Sequence, residues 1–323
     1  MVHINNEFHE KHEKSILKEN DILMVQSGHA GECAVVPKSF EGSNCHALII
    51  MSPIDVKSIN STFCAYYINS PIGIRKTFTL ITGNTIKHIL ASDLKKMRIK
   101  LPSFKEQNKI ASFLSLIDNK IELLEQKHLK YQDFKKYLMQ QIFAQKLRFA
   151  DFTEEWEVKK LGDIVEFLDN KRIPLNEDTR NNQKDIYPYY GASGIIDYVE
   201  DYIFDEELIL IGEDGTIDVN LASGKYWVSN HAHVLRANDN INQYYLTEFL
   251  KTVNFEIYNT GTIQPKLNKE TCKTIPIRLP NSLEEQNLIA NCFFEVNTKM
   301  GIFQNQIFLT KKFKEGLLQQ MFI

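Results

Sequence analysis

The sequence has few cysteines and no long apolar stretch. Five cysteines occur among its 323 residues, and no two of them have the C-x-x-C spacing: Cys33, Cys45, Cys64, Cys272 and Cys292. This odd, scattered set argues against a disulfide framework or a zinc knuckle and is typical of a reducing compartment. No apolar run approaches the roughly 20 residues of a membrane-spanning helix, and residues 1–14 are too polar for a signal peptide. The sequence therefore predicts a cytoplasmic protein.

Motifs for catalysis and cofactor binding are also missing. There is neither a G-x-x-x-x-G-K-[S/T] loop for a nucleoside triphosphate nor a G-x-G-x-x-G loop for a dinucleotide. The nearest match to the [N/D]-P-P-[Y/F] loop of a base-flipping methyltransferase, residues 69–72, lacks the second proline and the aromatic residue. His9 and His12 are three residues apart, whereas H-E-x-x-H needs a spacing of four. We therefore expect no catalytic residue, metal or cofactor in this chain.

An excess of basic residues is absent as well. The net charge of −3 argues mildly against a protein that binds nucleic acid through bulk electrostatics. Basic residues nevertheless gather in two places, each just before a stretch with helical periodicity: Lys95, Lys96, Arg98, Lys100 and Lys105, and then Lys266, Lys269, Lys273 and Arg278. Taken alone, these residues are best interpreted as a solvated rim.

What the sequence does contain is an internal repeat. Leu101-Pro102 followed by Glu106-Gln107-Asn108 returns as Leu279-Pro280 followed by Glu285-Gln286-Asn287, and the two E-Q-N triplets are 179 residues apart. Further upstream, Ser43-Asn44 matches Ser229-Asn230 at an offset of 186. A long period that occurs only twice indicates a duplicated domain and a pseudo-twofold molecule.

Each copy of the repeat leads into a helix with a coiled-coil seam, since apolar residues recur at alternating spacings of four and three. We expect these two seams to pack against each other: Ile110, Leu114, Ile117, Ile121, Leu124 and Leu138 with Ile289, Phe293, Val296, Met300, Phe303, Ile307 and Leu317. Polar residues interrupt the seams at His128 and Lys135 and at Thr310 and Lys314. The connectivity predicts an antiparallel pair, in which Ile117 and Ile121 lie near Phe303 and Met300.

Short β-rich runs separated by turn residues fill the remainder. The predicted fold class is α+β, with two mixed α/β domains at residues 1–102 and 151–281 and two long helices at residues 103–150 and 282–323. A short helix is expected at Gln243 to Val253, with its counterpart around Ser61 to Tyr67. The match for Trp156, which opens the second domain, would precede residue 1, so we expect the first domain to lack about 30 residues at its N-terminus.

Two groups of residues in the second domain have the chemistry of nucleic-acid contacts. Residues 187–194 interleave tyrosines with small residues and follow Lys171, Arg172, Arg180 and Lys184. A tyrosine-rich strand and turn explains this pattern about equally well. His231 and His233 alternate in a predicted strand, and they could be base-edge readers, half-buried polar groups or, least plausibly, metal ligands.

The whole arrangement resembles the specificity (S) subunit of type I restriction-modification enzymes. The resemblance covers nearly the full chain and is carried by four features: the W-x-x-x-x-L-G-D-I entry at residues 156–164, the Y-Y-G-A-S-G and G-E-D-G turns, the S-N-H-A-H-V-L run at residues 229–235, and the repeated L-P…E-Q-N helix start. The missing front of the first domain departs from the family pattern.

The resemblance implies a function in DNA recognition. Each recognition domain would read one half of a split double-stranded DNA target, and the antiparallel helices would set the spacing. Two modification subunits would dock on the helices, and restriction subunits would join through the assembled complex. Catalysis would belong to these partners, which would bind S-adenosylmethionine, ATP and Mg²⁺. A structural coiled-coil scaffold that grips proteins, an inactive truncated remnant of such a subunit and a DNA-modifying enzyme are the alternatives, and the missing motifs make the last one remote.

The second domain is the complete copy, and its expected DNA contacts lie on loops and turns. They are Lys171, Arg172, Arg180, Tyr189, Tyr190, Ser193, His231, His233, Gln264 and Lys266. We expect Lys266 to contact phosphate and Arg172 to contact a base.

Overall fold

The structure, a computed structural model, describes residues 4–83, 87–177, 186–261 and 264–322. The chain forms two compact units. The first unit consists of Met1–His128 and Ile302–Ile323, and the second consists of Leu129–Gly301. Two long helices therefore contribute one part to each unit. In the described part of the chain, no helix combines the length and the apolarity that a membrane span requires.

The first unit is built on a small antiparallel sheet and a set of helices. Its elements are α1 (Asn6–Lys11), β1 (Ile22–Val25), β2 (Cys33–Val35), β3 (Leu48–Met51), α2 (Ser61–Asn69), α3 (Pro71–Phe78), β4 (Ile81–Thr82), β5 (His88–Ile89), α4 (Ala91–Leu94) and the first part of α5 (Phe104–Phe143). The main sheet has the order β2-β1-β3, and β4 pairs with β5. Phe63 and Tyr67 of α2 pack with Leu114 of α5 in the core.

The second unit is larger and richer in strands. Its elements are β6 (Glu157–Lys160), α6 (Leu161–Ile164), β7 (Val165–Phe167), β8 (Tyr187–Gly191), β9 (Gly194–Val199), β10 (Phe204–Asp205), β11 (Leu208–Gly212), β12 (Val219–Ala222), β13 (Lys225–Val228), β14 (Ala232–Ala237), α7 (Gln243–Leu250), α8 (Lys269–Lys273), β15 (Pro276–Leu279) and the first part of α9 (Leu283–Met321). Its sheets have the orders β10-β13-β8-β9, β12-β11-β14-β7 and β15-β6. Every side chain of β11 is buried, as expected for a central strand of a core.

The long helices run antiparallel, as the sequence predicted. In the first unit, Lys314 of α9 pairs with Asp118 of α5 at 2.5 Å, and Lys311 pairs with Glu125 at 2.7 Å, so residue numbers rise on one helix as they fall on the other. In the second unit, Phe143 of α5 stacks on Phe293 of α9 with ring centroids 5.4 Å apart. Helix α5 ends at Phe143, seven residues before the end of the range 103–150 predicted from the sequence.

The predicted register of this helix pair was wrong. Ile117 and Ile121 share a buried cluster with Leu317 and Leu318, near the C-terminal end of α9, and not with Phe303 or Met300. The ion pair between Asp118 and Lys314 lies in the same place. A heptad pattern looks the same after a shift of seven or fourteen residues, so the seams alone do not select one register.

The other predicted seam residues lie within the two units. In the first unit Leu114 and Leu124 are buried and Ile110 and Leu317 are partly buried, whereas in the second unit Leu138, Ile289, Phe293 and Val296 are buried and Met300 is partly buried. Phe303 and Ile307 are half-buried.

The glutamine of the repeated E-Q-N motif has the same structural role in both units. Gln107 is buried at the start of α5; its Oε1 accepts a hydrogen bond from the backbone N–H of Asn60 (3.0 Å), and its Nε2 donates to the carbonyl of Pro102 (2.9 Å). Gln286 does the same with Asn242 (2.8 Å) and Pro280 (3.0 Å). Asn60 and Asn242 are the N-caps of α2 and α7, the two short helices predicted from the sequence. In each unit this glutamine therefore hydrogen-bonds the N-cap of a short helix to the start of a long helix.

Candidate nucleic-acid interface

The centre of the candidate site is a tight turn that follows β11 in the second unit. Glycine is needed at both ends of this G-E-D-G turn. A Cβ on Gly212 would lie 2.2 Å from the carbonyl oxygen of Thr216 and 2.7 Å from that of Ala192, and Gly215 has φ +79°. The contact with Ala192 places the turn between β8 and β9 beside the G-E-D-G turn. Two loops distant in sequence therefore lie side by side.

Backbone hydrogen bonds hold the G-E-D-G turn on two sides. The N–H of Glu213 donates to the carbonyl of His231 (2.8 Å), and its carbonyl accepts from the N–H of Leu267 (2.7 Å). The N–H of Gly215 donates to the carbonyl of Pro265 (2.9 Å). The turn is therefore fixed to the start of β14 and to the segment that precedes α8.

A network of charged side chains lies beneath the turn. Nη1 of Arg172 donates to Oε2 of Glu213 (2.8 Å) and to the carbonyl of Ala232 (2.8 Å). His233, with 1% of its side chain exposed, has its Nδ1 2.9 Å from Oδ2 of Asp169, and its Nε2 is 2.8 Å from the carbonyl of Leu267. Burial alone would raise the pKa of the Asp169 carboxyl, but its hydrogen bonds with His233 and Val234, together with the charge of Arg172, lower that pKa.

Contacts within the second unit change the interpretation of four predicted contact residues. Arg172 and His233 bind groups of their own unit, so the expectation that Arg172 contacts a base does not fit its position. Tyr189 is only 2% exposed, and its hydroxyl accepts a hydrogen bond from the N–H of Leu175. Tyr190 packs edge-on against Tyr226 with ring centroids 5.5 Å apart. The tyrosine-rich strand is mainly structural.

The remaining predicted residues lie on the surface, with one exception. Lys171, Ser193, His231, Gln264 and Lys266 are all exposed. Arg180, like Lys184, lies outside the described residues.

The turns bring several exposed polar groups together, and we call them the loop face of the second unit: Ser193, Asp214, Asn230, His231 and Lys266. Asp214 pairs with His231 at 2.6 Å, and its backbone forms an antiparallel bridge with Lys266. Asn230 and His231 line a shallow groove together with Pro174 and Asn176. Such a surface can contact base edges and phosphates, since it offers hydroxyl, amide, imidazole, carboxylate and ammonium groups.

Asp214 is the functional candidate that the sequence reasoning missed. An acidic residue in a loop is a weak signal by itself, because acidic residues are common in loops. The signal that could have identified it is its position in a four-residue turn bounded by two glycines, Gly212 and Gly215. Within the part of the chain that the structure describes, no three His, Cys, Asp or Glu side chains are grouped to hold a metal ion.

The first unit has a related but different surface. Ser27 precedes Gly28, which has φ +82°, and its backbone bridges to His88 as that of Asp214 bridges to Lys266. Oγ of Ser27 lies 2.6 Å from Nδ1 of His88. Four basic residues between this hairpin and α5 are exposed to solvent: Lys95, Lys96, Arg98 and Lys100.

Comparison with known proteins identifies the family. A model of the type I restriction modification DNA specificity domain matches residues 2–130 and again residues 153–307. The chain belongs to this family. The two matches coincide with the two copies of the repeat, so each unit contains one specificity domain.

Curated relatives carry the same family name. A putative type I restriction enzyme specificity subunit of Haemophilus influenzae is 35% identical over 39% of this chain and 34% of its own length. A type I specificity subunit of Escherichia coli is 30% identical over 45% of this chain and 37% of its own length. One from Methanocaldococcus jannaschii is 25% identical over 74% of this chain and 63% of its own length. The chain thus spans between a third and two thirds of these relatives.

Solved structures share the fold. The crystal structure of a type I restriction-modification S subunit from M. genitalium superposes with a TM-score of 0.73, covering 94% of this chain and 83% of that chain at 19% identity. A structure from work on the assembly and conformational transition of a type I restriction-modification system gives a TM-score of 0.56 over 94% and 82%, at 16% identity. These matches confirm the predicted α+β fold with two mixed domains and long helices.

Proposed function

We propose that the chain is the DNA-recognition subunit of a type I restriction-modification complex and that it reads a bipartite duplex target, one half with each unit. The observation that carries the proposal is the duplication of one scaffold, each copy bearing its own set of exposed polar loops. Two loop surfaces of unlike composition suit two half-sites of unlike sequence, because base choice depends on the groups that reach the groove.

In this proposal the chain has no catalytic activity of its own. Modification subunits, two per complex, methylate the DNA with S-adenosylmethionine, and restriction subunits join through the complex and use ATP and Mg²⁺. Partner subunits also supply phosphate contacts, in keeping with the net charge of −3 of this chain.

The long helices offer a docking surface for the modification subunits. In the first unit, three large apolar side chains of α5 face solvent: Phe113 is 42% exposed, Leu116 is 67% exposed and Leu123 is 56% exposed. In the second unit, Phe134 and Tyr137 of the same helix are exposed too. Apolar groups gathered on a helix that is otherwise highly charged are typical of a protein interface.

The test is selection from a random pool. The chain, assembled with its cognate modification subunits, is mixed with duplexes that carry a randomised central region, and the retained duplexes are sequenced. The proposal predicts one enriched motif made of two short blocks with a fixed gap. Retention of duplexes without any enriched sequence, or no retention at all, would contradict it.

The docking surface is tested separately. Leu116→Glu and Leu123→Glu should each reduce co-purification with the modification subunits, because a charge placed in an apolar interface remains unpaired. Ile54→Glu is the control, since Ile54 is 97% exposed and lies away from the long helices in sequence. Equal recovery of the subunits with all three variants would place docking elsewhere.

A further inference from the structure

Asp214 and His231 form a polar pair on the loop face. Their side chains are 37% and 52% exposed, and Nδ1 of His231 lies 2.6 Å from Oδ1 of Asp214. Among the described residues, no protein group is hydrogen-bonded to the second carboxylate oxygen of Asp214 or to Nε2 of His231. The pair thus holds the carboxylate in one orientation and leaves an acceptor oxygen open to an external donor.

The turn that carries this pair is held by hydrogen bonds on two sides and by an ion pair. The G-E-D-G turn is hydrogen-bonded to His231 on one side and to the 265–267 segment on the other. Below it, Glu213 is tied to Arg172. A ligand that meets Asp214 therefore meets a group whose position is already fixed, and binding costs little conformational entropy.

If the second unit binds DNA, a carboxylate in this position should affect the choice of base and not the general affinity for DNA. Phosphates repel it, so it does not add general affinity for nucleic acid. Acidic side chains do serve in DNA interfaces as acceptors for the exocyclic amino group of cytosine in the major groove. A fixed and exposed carboxylate among neutral and basic groups is suited to that role.

The equivalent turn of the first unit supports the same interpretation. There, Ser27 takes the place of Asp214 in the backbone bridge, and its hydroxyl contacts His88 at 2.6 Å. Each unit therefore presents an oxygen beside a histidine at this turn, although the histidines differ in position: His88 is the bridge partner itself, as Lys266 is in the second unit, whereas His231 lies just before β14. The oxygen belongs to a carboxylate in one copy and to a hydroxyl in the other, as expected for positions that read different bases.

We infer that Asp214 is a specificity-determining residue that accepts a hydrogen bond from the N4 amino group of a cytosine in the half-site read by the second unit. His231 is its positioning residue. This inference rests on the proposed function, because it requires that the loop face of the second unit lies in the major groove.

The experiment is the same pool selection with the assembled complex, carried out for the parent and for Asp214→Asn. Asparagine pairs with adenine, so the variant should enrich a motif that differs from the parent motif at one position, with adenine in place of cytosine. Its affinity for the parent motif should fall by roughly 5- to 150-fold. Asp239→Asn is the matched control, because it removes the same charge after the opposite end of β14; it should enrich the parent motif with an affinity within about twofold.

The outcomes separate the inference from the proposed function. If the parent enriches no motif, the proposed function fails and the inference fails with it. If the parent enriches a motif and Asp214→Asn enriches the same one, only the inference is overturned. Should Asp214→Asn fail to fold, as judged by thermal unfolding, His231→Gln decides: a weakened preference at one position supports the inference, and an unchanged motif overturns it.

Discussion

Each unit contains a small polar cluster in which a lysine pairs with a carboxylate. The carboxylate lies on the short helix in the second unit and on a long helix in the first unit. In the second unit, Lys135 of α5 pairs at 2.7 Å with Glu248 of the short helix α7, and Asn297 of α9 donates to the same carboxylate. In the first unit, Lys314 of α9 pairs at 2.5 Å with Asp118 of α5, and the hydroxyl of Tyr66 in α2 donates to that carboxylate at 2.6 Å.

These clusters occupy matching positions of the repeat. Lys135 corresponds to Lys314 and Asp118 to Asn297, each at the offset of 179. Tyr66 and Glu248 occupy matching places in α2 and α7. The duplication has therefore kept the charge balance of the cluster and not the identity of its acidic residue. It also explains the lysines that interrupt the two seams, since Lys135 and Lys314 each pair with a carboxylate.

Replacement of Glu248 should cause the largest loss of stability, and it should differ from replacement of Asp118. The Glu248 side chain is fully buried, whereas Asp118 is 37% exposed. Glu248→Leu leaves Lys135 without its carboxylate and should destabilise the second unit by about 3–5 kcal/mol, whereas Asp118→Leu should cost the first unit about 1 kcal/mol. Tryptophan fluorescence reports on the second unit because Trp156 and Trp227 both lie there, and amide hydrogen exchange reports on the first.

A double variant provides the control for this difference. Lys135→Met combined with Glu248→Leu removes both charges and should recover most of the lost stability, because an apolar pair replaces an ion pair at little cost. If the double variant is as unstable as Glu248→Leu alone, packing and not charge accounts for the loss.

Loss of the repeated glutamine should destabilise both units equally, unlike loss of the acidic residue. Gln107→Ala and Gln286→Ala each leave the partly buried N–H of an N-cap asparagine unpaired, and each should cost about 1–2 kcal/mol. Hydrogen exchange should show faster opening of α2 in the first variant and of α7 in the second. Gln140→Ala, at an exposed position of α5, should change neither rate. Unequal losses for Gln107 and Gln286 would show that the two junctions are not energetically equivalent.

The comparison of these residues in the sequence and in the structure shows which features the sequence could predict. The constant offset of 179 predicted the duplication correctly, because it constrains many residues at once. The antiparallel arrangement of the long helices followed from their connectivity. The helix register escaped prediction because a seam is periodic. The ion pairs of Arg172 and His233 escaped prediction because their partners, Glu213 and Asp169, lie 41 and 64 residues away. A basic residue has the same sequence signature on a surface and in such a network.

A smaller loss of stability is expected at acidic pH. The pKa of Glu248 is lowered: burial alone would raise it, but Lys251 and Lys135 outweigh burial, and the pKa of Asp169 is lowered too. A carboxyl whose pKa is lower in the folded state stabilises the fold above its unfolded pKa of about 4. That stabilisation is lost as the pH falls through the folded value.

The second unit should therefore lose stability on acidification, which tryptophan fluorescence can follow during thermal unfolding at decreasing pH. Asp169→Asn should remove part of this pH dependence because the variant has no carboxyl to protonate at that position. Identical pH profiles for the parent and the variant would show that Asp169 does not contribute.

The smallest expected effect separates general DNA affinity from sequence preference. The backbone of Lys266 is fixed, since its N–H donates to Oδ1 of Asn259 at 2.9 Å, while its side chain is exposed on the loop face. Lys266→Ala should weaken binding to specific and scrambled duplexes alike and reduce the slope of log K against log salt by about one, because one fewer phosphate is neutralised. Gln264→Ala, at a neutral and exposed neighbour, should leave the slope unchanged. A change of preferred base in Lys266→Ala would show that Lys266 contacts a base and not a phosphate. Lys87→Ala, beside His88 in the first unit, extends the test to that unit. It should reduce the slope by a similar amount if the first unit contacts phosphate at the equivalent position.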